Sequence, residues 1–390
     1  MYELLWLLLP VAALSGWWIG RRGPRADEDD GPLGTVPDAY FQGLNYLLNE
    51  ERDKALDLFT RMVEVDSDTV ETHLALGSLF RRRGEVDRAI RIHQNLIARP
   101  SLTRRQRTYA LLALGEDYMK AGLFDRAEKL FTEVVAHNAH VEQALRHLLT
   151  IYEREKEWAK AKDAALHLQR LKGGGGQEVR IAQLLCEQAR EAMAGADVNR
   201  TRTLLRQALS HDPRCVRASI LSGDLERGLA RYKVALKAYH QVARQDPAFV
   251  PEALDGLEAC YRALGKPGQL EAYLRDVVEQ FPAGPVVSRL IDLIRERLGS
   301  QSAIQELSRL LRHHPSLEGI RRLVDLTRSV GRPIGPEELD ILLELFDHLE
   351  VGRPRYRCQS CGFSGRAIFW QCPGCKTWAG MRPAVERESV

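Results

Sequence analysis

A spacing of about 34 residues recurs through the middle of the chain and constrains its fold more than any other feature. An aromatic residue is followed nine positions later by alanine at Tyr46/Ala55, Phe80/Ala89, Tyr118/Ala127 and Tyr152/Ala161. A glycine precedes each of the first three aromatic residues by three positions, whereas the fourth copy has Leu149 there. Small residues at such fixed positions mark the points where two helices touch.

The period identifies the type of repeat. Pro213, Pro247 and Pro315 end predicted helical stretches at intervals of 34 and 68 residues. A 34-residue unit made of two helices is the tetratricopeptide repeat (TPR). Residues 37–350 are therefore predicted to form an all-α superhelical solenoid of about eight to nine repeats, in which stacked hairpins share one core and enclose a concave groove.

The chain begins with an apolar segment. Residues 4–19 contain no charged side chain, and Arg21 and Arg22 follow them directly. The run is close to the roughly 17–25 residues that a transmembrane helix needs. Because Lys and Arg flank the cytoplasmic end of a span, the order of charges predicts a single-pass membrane anchor at residues 1–20 and a cytoplasmic body. A cleaved signal peptide is the alternative, but its positive region would precede the apolar core.

A tether is predicted between this anchor and the repeats. Residues 21–36 contain Pro and Gly together with a run of acidic side chains from Asp27 to Asp30. Such a composition cannot bury a core, so we predict a flexible cytoplasmic linker.

Two CxxC pairs near the C-terminus predict a metal site. Cys358 and Cys361 form the first pair and Cys372 and Cys375 the second, with ten residues between the pairs. Four thiolates suit a tetrahedral ion, and a segment as short as 354–380 needs a metal to supply its folding energy. We expect one metal ion in a rubredoxin-like ribbon, with zinc favoured over iron, although such a site can hold either. A redox-active CxxC pair fits this spacing less well.

The ribbon is expected to lie against the repeats. The linking residues 351–355 span at most ~18 Å, so the ribbon should pack on the last TPR helices or beside the concave face. The aromatic side chains available to cover the metal are Phe363, Phe369, Trp370 and Trp378.

Composition excludes several classes of function. Among 390 residues, 56 Lys and Arg balance 53 Asp and Glu to a net charge of +3. The chain therefore lacks the concentrated basic excess of a nucleic-acid-binding protein. It contains no HExxH, GxSxG or Walker-type motif, so we predict no enzymatic activity. Cys186, Cys215 and Cys260 fall at helical positions and are expected to be buried as small apolar residues.

The predicted groove supplies candidate partner-binding residues. In TPR proteins the groove is lined by fixed positions of each first helix. Mapped onto this sequence, these positions include Tyr40, Leu44, Arg81, Arg82, Tyr109, Lys120, Arg146 and Arg154. The alternative for each of them is an ordinary solvated helix face.

The order of the three segments resembles one known family. The anchor ends in Gly20-Arg21-Arg22, the repeats contain FRRRGEVDRAIRIH (80–93), and the ribbon begins with YRCQSCGF (356–363). Over nearly the whole chain these features are similar to the lipopolysaccharide assembly protein B family of Gram-negative bacteria. The resemblance implies a protein of the cell inner membrane, with its N-terminus in the periplasm and its body on the cytoplasmic side.

The resemblance also implies a function. Members of that family work with a membrane-bound AAA+ metalloprotease that degrades the lipid A pathway deacetylase. The implied role is a regulatory adaptor that promotes this proteolysis and a platform for lipopolysaccharide assembly proteins. Two other functions stay open from the residues alone: a metal-binding electron-transfer protein with iron in the ribbon, and a general TPR scaffold unrelated to lipopolysaccharide.

Overall fold

A computed structural model describes residues 41–43, 45–46, 52–65, 70–173, 176–314, 316–331 and 354–384. The predicted anchor and tether lie outside these residues, as do the candidate residues Tyr40 and Leu44. Within the described ranges, no helix combines the length and the apolar character that crossing a membrane requires.

The described helices follow one another as hairpins, which is the arrangement that the 34-residue period predicts. The first compact unit, residues 1–140, contains α1 (Arg52–Val65), α2 (Val70–Arg83), α3 (Val86–Ile97), α4 (Arg104–Lys120) and α5 (Phe124–Ala136). The second unit, residues 141–390, contains α6 (Val141–Glu155), α7 (Trp158–Leu171), α8 (Glu178–Ala194), α9 (Val198–His211), α10 (Val216–Gly228), α11 (Tyr232–Gln245), α12 (Val250–Ala263), α13 (Pro267–Gln280), α14 (Gly284–Leu298), α15 (Ser300–His313) and α16 (Leu317–Ser329). The hairpins pair α2 with α3 and α4 with α5 in the first unit, and α6 with α7, α8 with α9, α10 with α11, α12 with α13 and α14 with α15 in the second.

A large side chain on the second helix of a hairpin packs against a glycine on the first. A Cβ atom added to Gly77 would overlap the ring of His93, and one added to Gly115 would overlap the ring of Phe131. The fourth copy reverses the sizes, because Leu149 replaces the glycine and the position of the ring carries Ala165. Both of these residues are fully buried. The departure from the glycine pattern is therefore compensated within the same hairpin.

The alanines that defined the repeat are packing residues, as predicted. Ala55, Ala89, Ala127 and Ala161 have no exposed surface. A larger side chain at such a position would force two helices apart, at a typical cost of ~1–3 kcal/mol.

A three-stranded antiparallel sheet forms the frame of the C-terminal ribbon. β1 (Tyr356–Cys358) lies between β2 (Ser364–Gly365) and β3 (Met381–Pro383). Tyr356 and Cys358 are buried on one face of β1, whereas Arg357 between them is exposed. Because side chains alternate between the two faces of a strand, Cys358, the first candidate metal ligand, lies in the small core of the ribbon.

The turn between the two helices of a hairpin requires a left-handed residue. Gly84 and Gly122 occupy this position with φ of 91° and 77°. In the following hairpins the same position is taken by Lys156, Ala196 and Ala230, with φ of 60°, 56° and 56°. A side chain with a Cβ atom in this conformation costs roughly 1–2 kcal/mol, which glycine avoids.

Replacing Ala230 by glycine should therefore stabilise the second unit. We expect Ala230→Gly to raise the free energy of unfolding by about 1 kcal/mol, because it relieves the left-handed strain. The matched control is Ala272→Gly, since Ala272 is exposed in the interior of α13 and glycine there should cost about 1 kcal/mol. Urea unfolding followed by circular dichroism measures both, and equal losses of stability in the two variants would contradict the prediction.

Candidate metal centre and its docking surface

The ribbon brings the sulfur atoms of its cysteines together. The Sγ atoms of Cys358, Cys361, Cys372 and Cys375 all lie within 4.8 Å of one another. The Cys358–Cys375 and Cys361–Cys372 Sγ pairs are each 3.7 Å apart. Sulfur atoms bound ~2.3 Å from a tetrahedral ion would lie about 3.8 Å apart. The four thiols thus form a metal-binding cluster, and an all-sulfur donor set of this kind suits zinc and iron alike.

Each CxxC pair is closed by a backbone turn of the same type. The N–H of Gly362 donates to the carbonyl oxygen of Cys358, and the N–H of Lys376 donates to that of Cys372, each over 2.9 Å. Gly362 and Lys376 have φ of 76° and 59°. The repeated turn presents two thiols on the same side of each loop, which is what a shared ion requires.

Hydrogen bonding favours thiolates at two corners of the cluster. The Thr377 side chain and backbone lower the pKa of Cys375 to about 6. Burial opposes ionisation of Cys358, but backbone N–H groups of the turn outweigh it and bring the pKa of this thiol below its ordinary value. Cys361 receives a hydrogen bond from the N–H of Phe363, yet burial and the neighbouring thiols raise its pKa to about 11. Charge compensation for the remaining thiolates is what a bound cation would supply.

One buried carboxylate joins the ribbon to the repeats. Glu153 of α6 accepts a hydrogen bond from the indole Nε1 of Trp378 over 2.9 Å and one from Gln371 Nε2 over 3.1 Å. Arg180 of α8 donates to the same carboxylate over 2.8 and 3.1 Å. The Glu153 side chain is only 6% exposed, so these bonds replace nearly all of its water.

Two further carboxylates hold the sheet of the ribbon. The Tyr356 hydroxyl donates to Glu252 of α12, and Arg382 of β3 forms an ion pair with Asp246. Burial and the neighbouring Glu252 raise the pKa of Tyr356, so this hydroxyl stays protonated as a donor throughout the physiological pH range.

An aromatic contact completes the docking surface. Trp370 lies with its ring centroid 5.9 Å from that of Phe249, and the guanidinium of Arg217 lies 5.7 Å from the same indole. Arg217 is 2% exposed and is paired with Glu187 over 2.8 Å. A buried cation that is both ion-paired and placed near an indole favours one orientation of the ribbon.

The ribbon therefore packs against the face formed by first helices α6, α10 and α12. These contacts lie on first helices and on the turn before α12, in hairpins that precede the last described TPR helices. Trp370 and Trp378, expected as aromatic cover for the metal, both contact the repeats, where the N–H of Trp378 donates to a buried carboxylate. Phe363 does pack with Cys358 and Cys372 in the ribbon core.

The described groove candidates of the first unit differ in their surroundings. Arg81 is 17% exposed because it pairs with Asp117 over 2.8 Å and with Glu116 over 2.6 Å. Arg82 and Lys120 are exposed on α2 and α4. Tyr109 is 40% exposed and lies 3.9 Å from the His140 ring, measured between centroids. Arg81 therefore links two neighbouring hairpins, whereas Arg82, Lys120 and Tyr109 present surface to solvent.

The two candidates of the second unit are both exposed on α6. Arg146 pairs with Glu142 one helical turn earlier, over 2.7 Å, and Arg154 lies beside the buried Glu153. The repeat pattern thus pointed to Arg154, the neighbour of the residue that binds the ribbon. Glu153, Arg217, Asp246, Phe249 and Glu252 were all missed. The one available signal was the presence of two tryptophans in a segment too small to bury them.

Removing the indole N–H should loosen the ribbon without emptying the metal site. We expect Trp378→Phe to lower the free energy of unfolding by about 1–3 kcal/mol, because a hydrogen bond to a buried carboxylate is lost. Metal content per chain should stay unchanged, since the four thiols are intact. Limited proteolysis should cut the ribbon of this variant faster than that of Phe369→Leu, which alters an exposed aromatic side chain. Equal rates of cleavage would contradict the assigned role of the Trp378–Glu153 bond.

Comparison with known proteins agrees with this geometry. The family described as the rubredoxin metal binding domain matches residues 356–383, and the tetratricopeptide repeat matches residues 72–107, 112–174 and 186–248. Lipopolysaccharide assembly protein B of Escherichia coli (strain K12) is 41% identical over 386 residues, which cover 98% of this chain and 98% of that protein. The protein of the same name from Haemophilus influenzae is 36% identical over 399 residues and covers both chains completely. The chain therefore belongs to the lipopolysaccharide assembly protein B family.

Proposed function

We propose that this chain is a non-enzymatic adaptor in lipopolysaccharide assembly, in which a metal-stabilised ribbon docks on a TPR scaffold. The observation that carries the proposal is full-length similarity to relatives named for lipopolysaccharide assembly. The TPR fold supports an adaptor role, because such repeats serve as binding scaffolds for other proteins.

The docked ribbon supports the view that the first-helix face binds polypeptide. Within the second unit, Glu153 and Glu252 of this face accept hydrogen bonds from an indole and a phenol, and Asp246 in the turn before α12 pairs with a guanidinium. These are ordinary protein side chains, so the surface has the chemistry to hold a peptide segment. The metal contributes by folding the ribbon, and the ribbon in turn presents Trp370 and Trp378 to the helices.

The finer proposal concerns what the adaptor regulates. We infer that it promotes degradation of the lipid A pathway deacetylase by a membrane-bound AAA+ metalloprotease and that it organises lipopolysaccharide assembly proteins. Arg82, Tyr109, Lys120, Arg146 and Arg154, exposed in the described structure, and Tyr40 and Leu44 of the sequence, remain the candidate partner-binding residues. Arg81 is proposed to support the groove indirectly, because its ion pair with Asp117 links two neighbouring hairpins.

Residues 1–20 are proposed to anchor the chain in the inner membrane, with the N-terminus in the periplasm. Tethering would keep the adaptor at a high effective concentration near membrane partners. Protease added to intact spheroplasts should then leave residues 21–390 whole, and digestion of the body under those conditions would overturn the proposed topology.

Loss of one metal ligand tests the regulatory proposal. In cells carrying Cys358→Ser we expect the deacetylase to accumulate, since the ribbon can no longer fold around its ion. The purified variant should have lost its metal but kept most of its helical content, because TPR hairpins depend mainly on their neighbours. Cys260→Ser is the matched control, as it removes a buried thiol of α12 outside the ribbon.

The outcomes distinguish the possible roles of the ribbon. Normal deacetylase turnover in a metal-free variant would mean that the ribbon does not take part in regulation. Metal analysis of the unaltered protein, together with its visible absorption spectrum, separates the favoured zinc from iron. An iron spectrum with reversible reduction would instead support the electron-transfer function.

A further inference from the structure

A second pair of cysteines, outside the ribbon, meets between two neighbouring TPR hairpins. Cys186 lies in the middle of α8, and Cys215 is the residue that caps the N-terminus of α10. Their Sγ atoms are 3.9 Å apart. The two residues are 0% and 2% exposed. Both thiols are buried, as the sequence predicts, and the structure also places their sulfur atoms in direct contact.

The surroundings fix this contact. Gln183, one turn before Cys186, has its amide Nε2 3.6 Å from the sulfur of Cys215. Gln183 also accepts a hydrogen bond from Arg217 over 3.3 Å. Arg217 in turn binds Glu187, the neighbour of Cys186. The two cysteines therefore lie within a polar frame that joins α8 to the first turn of α10.

We propose that Cys186 and Cys215 are a dithiol site that a hydroperoxide oxidises to an intramolecular disulfide, which joins α8 covalently to α10. A disulfide needs an S–S distance of ~2.05 Å, so the sulfur atoms must approach by about 2 Å. Small rotations of two side chains that already touch can supply this movement.

The two thiols are not equivalent. The neighbouring Cys186 thiol and the backbone N–H of Ala218 lower the pKa of Cys215, and helix N-termini generally favour thiolates. The hydrogen bond with Cys215 and burial raise the pKa of Cys186. Cys215 also directly follows the exposed residues Pro213 and Arg214, so a local opening of this turn exposes it first. Cys215 is therefore the attacking thiol and Cys186 the resolving thiol.

The chemistry proceeds in two balanced steps. The Cys215 thiolate attacks one peroxide oxygen, so that an S–O bond forms, the O–O bond breaks, and the departing oxygen leaves as water or an alcohol after protonation. The Cys186 sulfur then attacks the resulting sulfenic acid, the S–S bond forms, and the S–O bond breaks with loss of water. The two thiols together lose two electrons, which reduce the peroxide.

The bond would act on the ribbon-docking surface. Arg217 lies two residues after Cys215, and its partners Gln183 and Glu187 flank Cys186. The disulfide would join α8 to α10 beside Arg217, whose guanidinium contacts Trp370. The linked chain should therefore hold its ribbon more firmly than the reduced chain.

Peptide mapping of the full-length, metal-loaded protein tests the proposal. After treatment with hydrogen peroxide, blocking of free thiols with N-ethylmaleimide and digestion with trypsin, we expect residues 181–190 to be linked to residues 215–217. In Cys186→Ser, oxidation should stop at a sulfenic acid on Cys215, which dimedone captures. In Cys215→Ser, Cys186 should remain reduced, and Cys260→Ser should behave like the unaltered chain.

Two results would overturn the proposal. One is recovery of Cys186 and Cys215 as free thiols after the ribbon cysteines or Cys260 have been oxidised. The other is oxidation of Cys186 in Cys215→Ser at the rate seen in the unaltered protein. As a second measurement, peroxide should raise the Tm of the unaltered chain by a few degrees, because a loop closed by a disulfide restricts the unfolded state. It should leave the Tm of Cys186→Ala unchanged, and a similar rise in both would also overturn the assignment.

Discussion

In the hairpins α2–α3, α4–α5 and α10–α11, the two helices lie so close at one pair of facing positions that a glycine on the first helix meets a large ring on the second. Gly115 faces Phe131 in this way, and the leucine and alanine of the fourth copy divide the same space in the opposite order. Because interiors are packed to the density of organic crystals, such a pair fixes the separation of its helices. The separation then determines where the first helix presents its remaining side chains. In the second unit, those side chains form the surface on which the ribbon rests.

That surface is built mainly of paired charges. Glu153, Asp246 and Glu252 each bind a donor side chain of the ribbon. The guanidinium of Arg217 lies beside the indole of Trp370. Breaking a buried pair by removing one partner is strongly destabilising, whereas the intact pair contributes little net stability. The contacts therefore specify how the ribbon is oriented more than how tightly it is held. A metal ion held by the four thiols would supply the rigidity that such an orientation needs.

The parts of the structure that could be predicted are those encoded by spacing. The 34-residue period identified the hairpins and their buried alanines, and the CxxC pairs identified the four metal-binding thiols. The docking contacts follow no spacing rule, because Trp378 and Glu153 are 225 residues apart and Tyr356 and Glu252 are 104 apart. Helical position assigned Arg81 to the groove, but an aspartate 36 residues later binds it. Periodicity specifies the face of a helix, whereas the partner on that face depends on tertiary neighbours.

The distance along the chain between Glu153 and Trp378 also has a consequence for synthesis. The ribosome adds ~5–20 residues per second, so the 225 residues between them take about 11–45 s to appear. Throughout that interval α6 and α8 can pack on their neighbouring helices, while their ribbon-binding surface remains exposed to solvent. Arg180 is the residue that can satisfy Glu153 during this time, because it is made only 27 residues later. The ion pair between Arg180 and Glu153 therefore compensates the buried negative charge before the ribbon is synthesised.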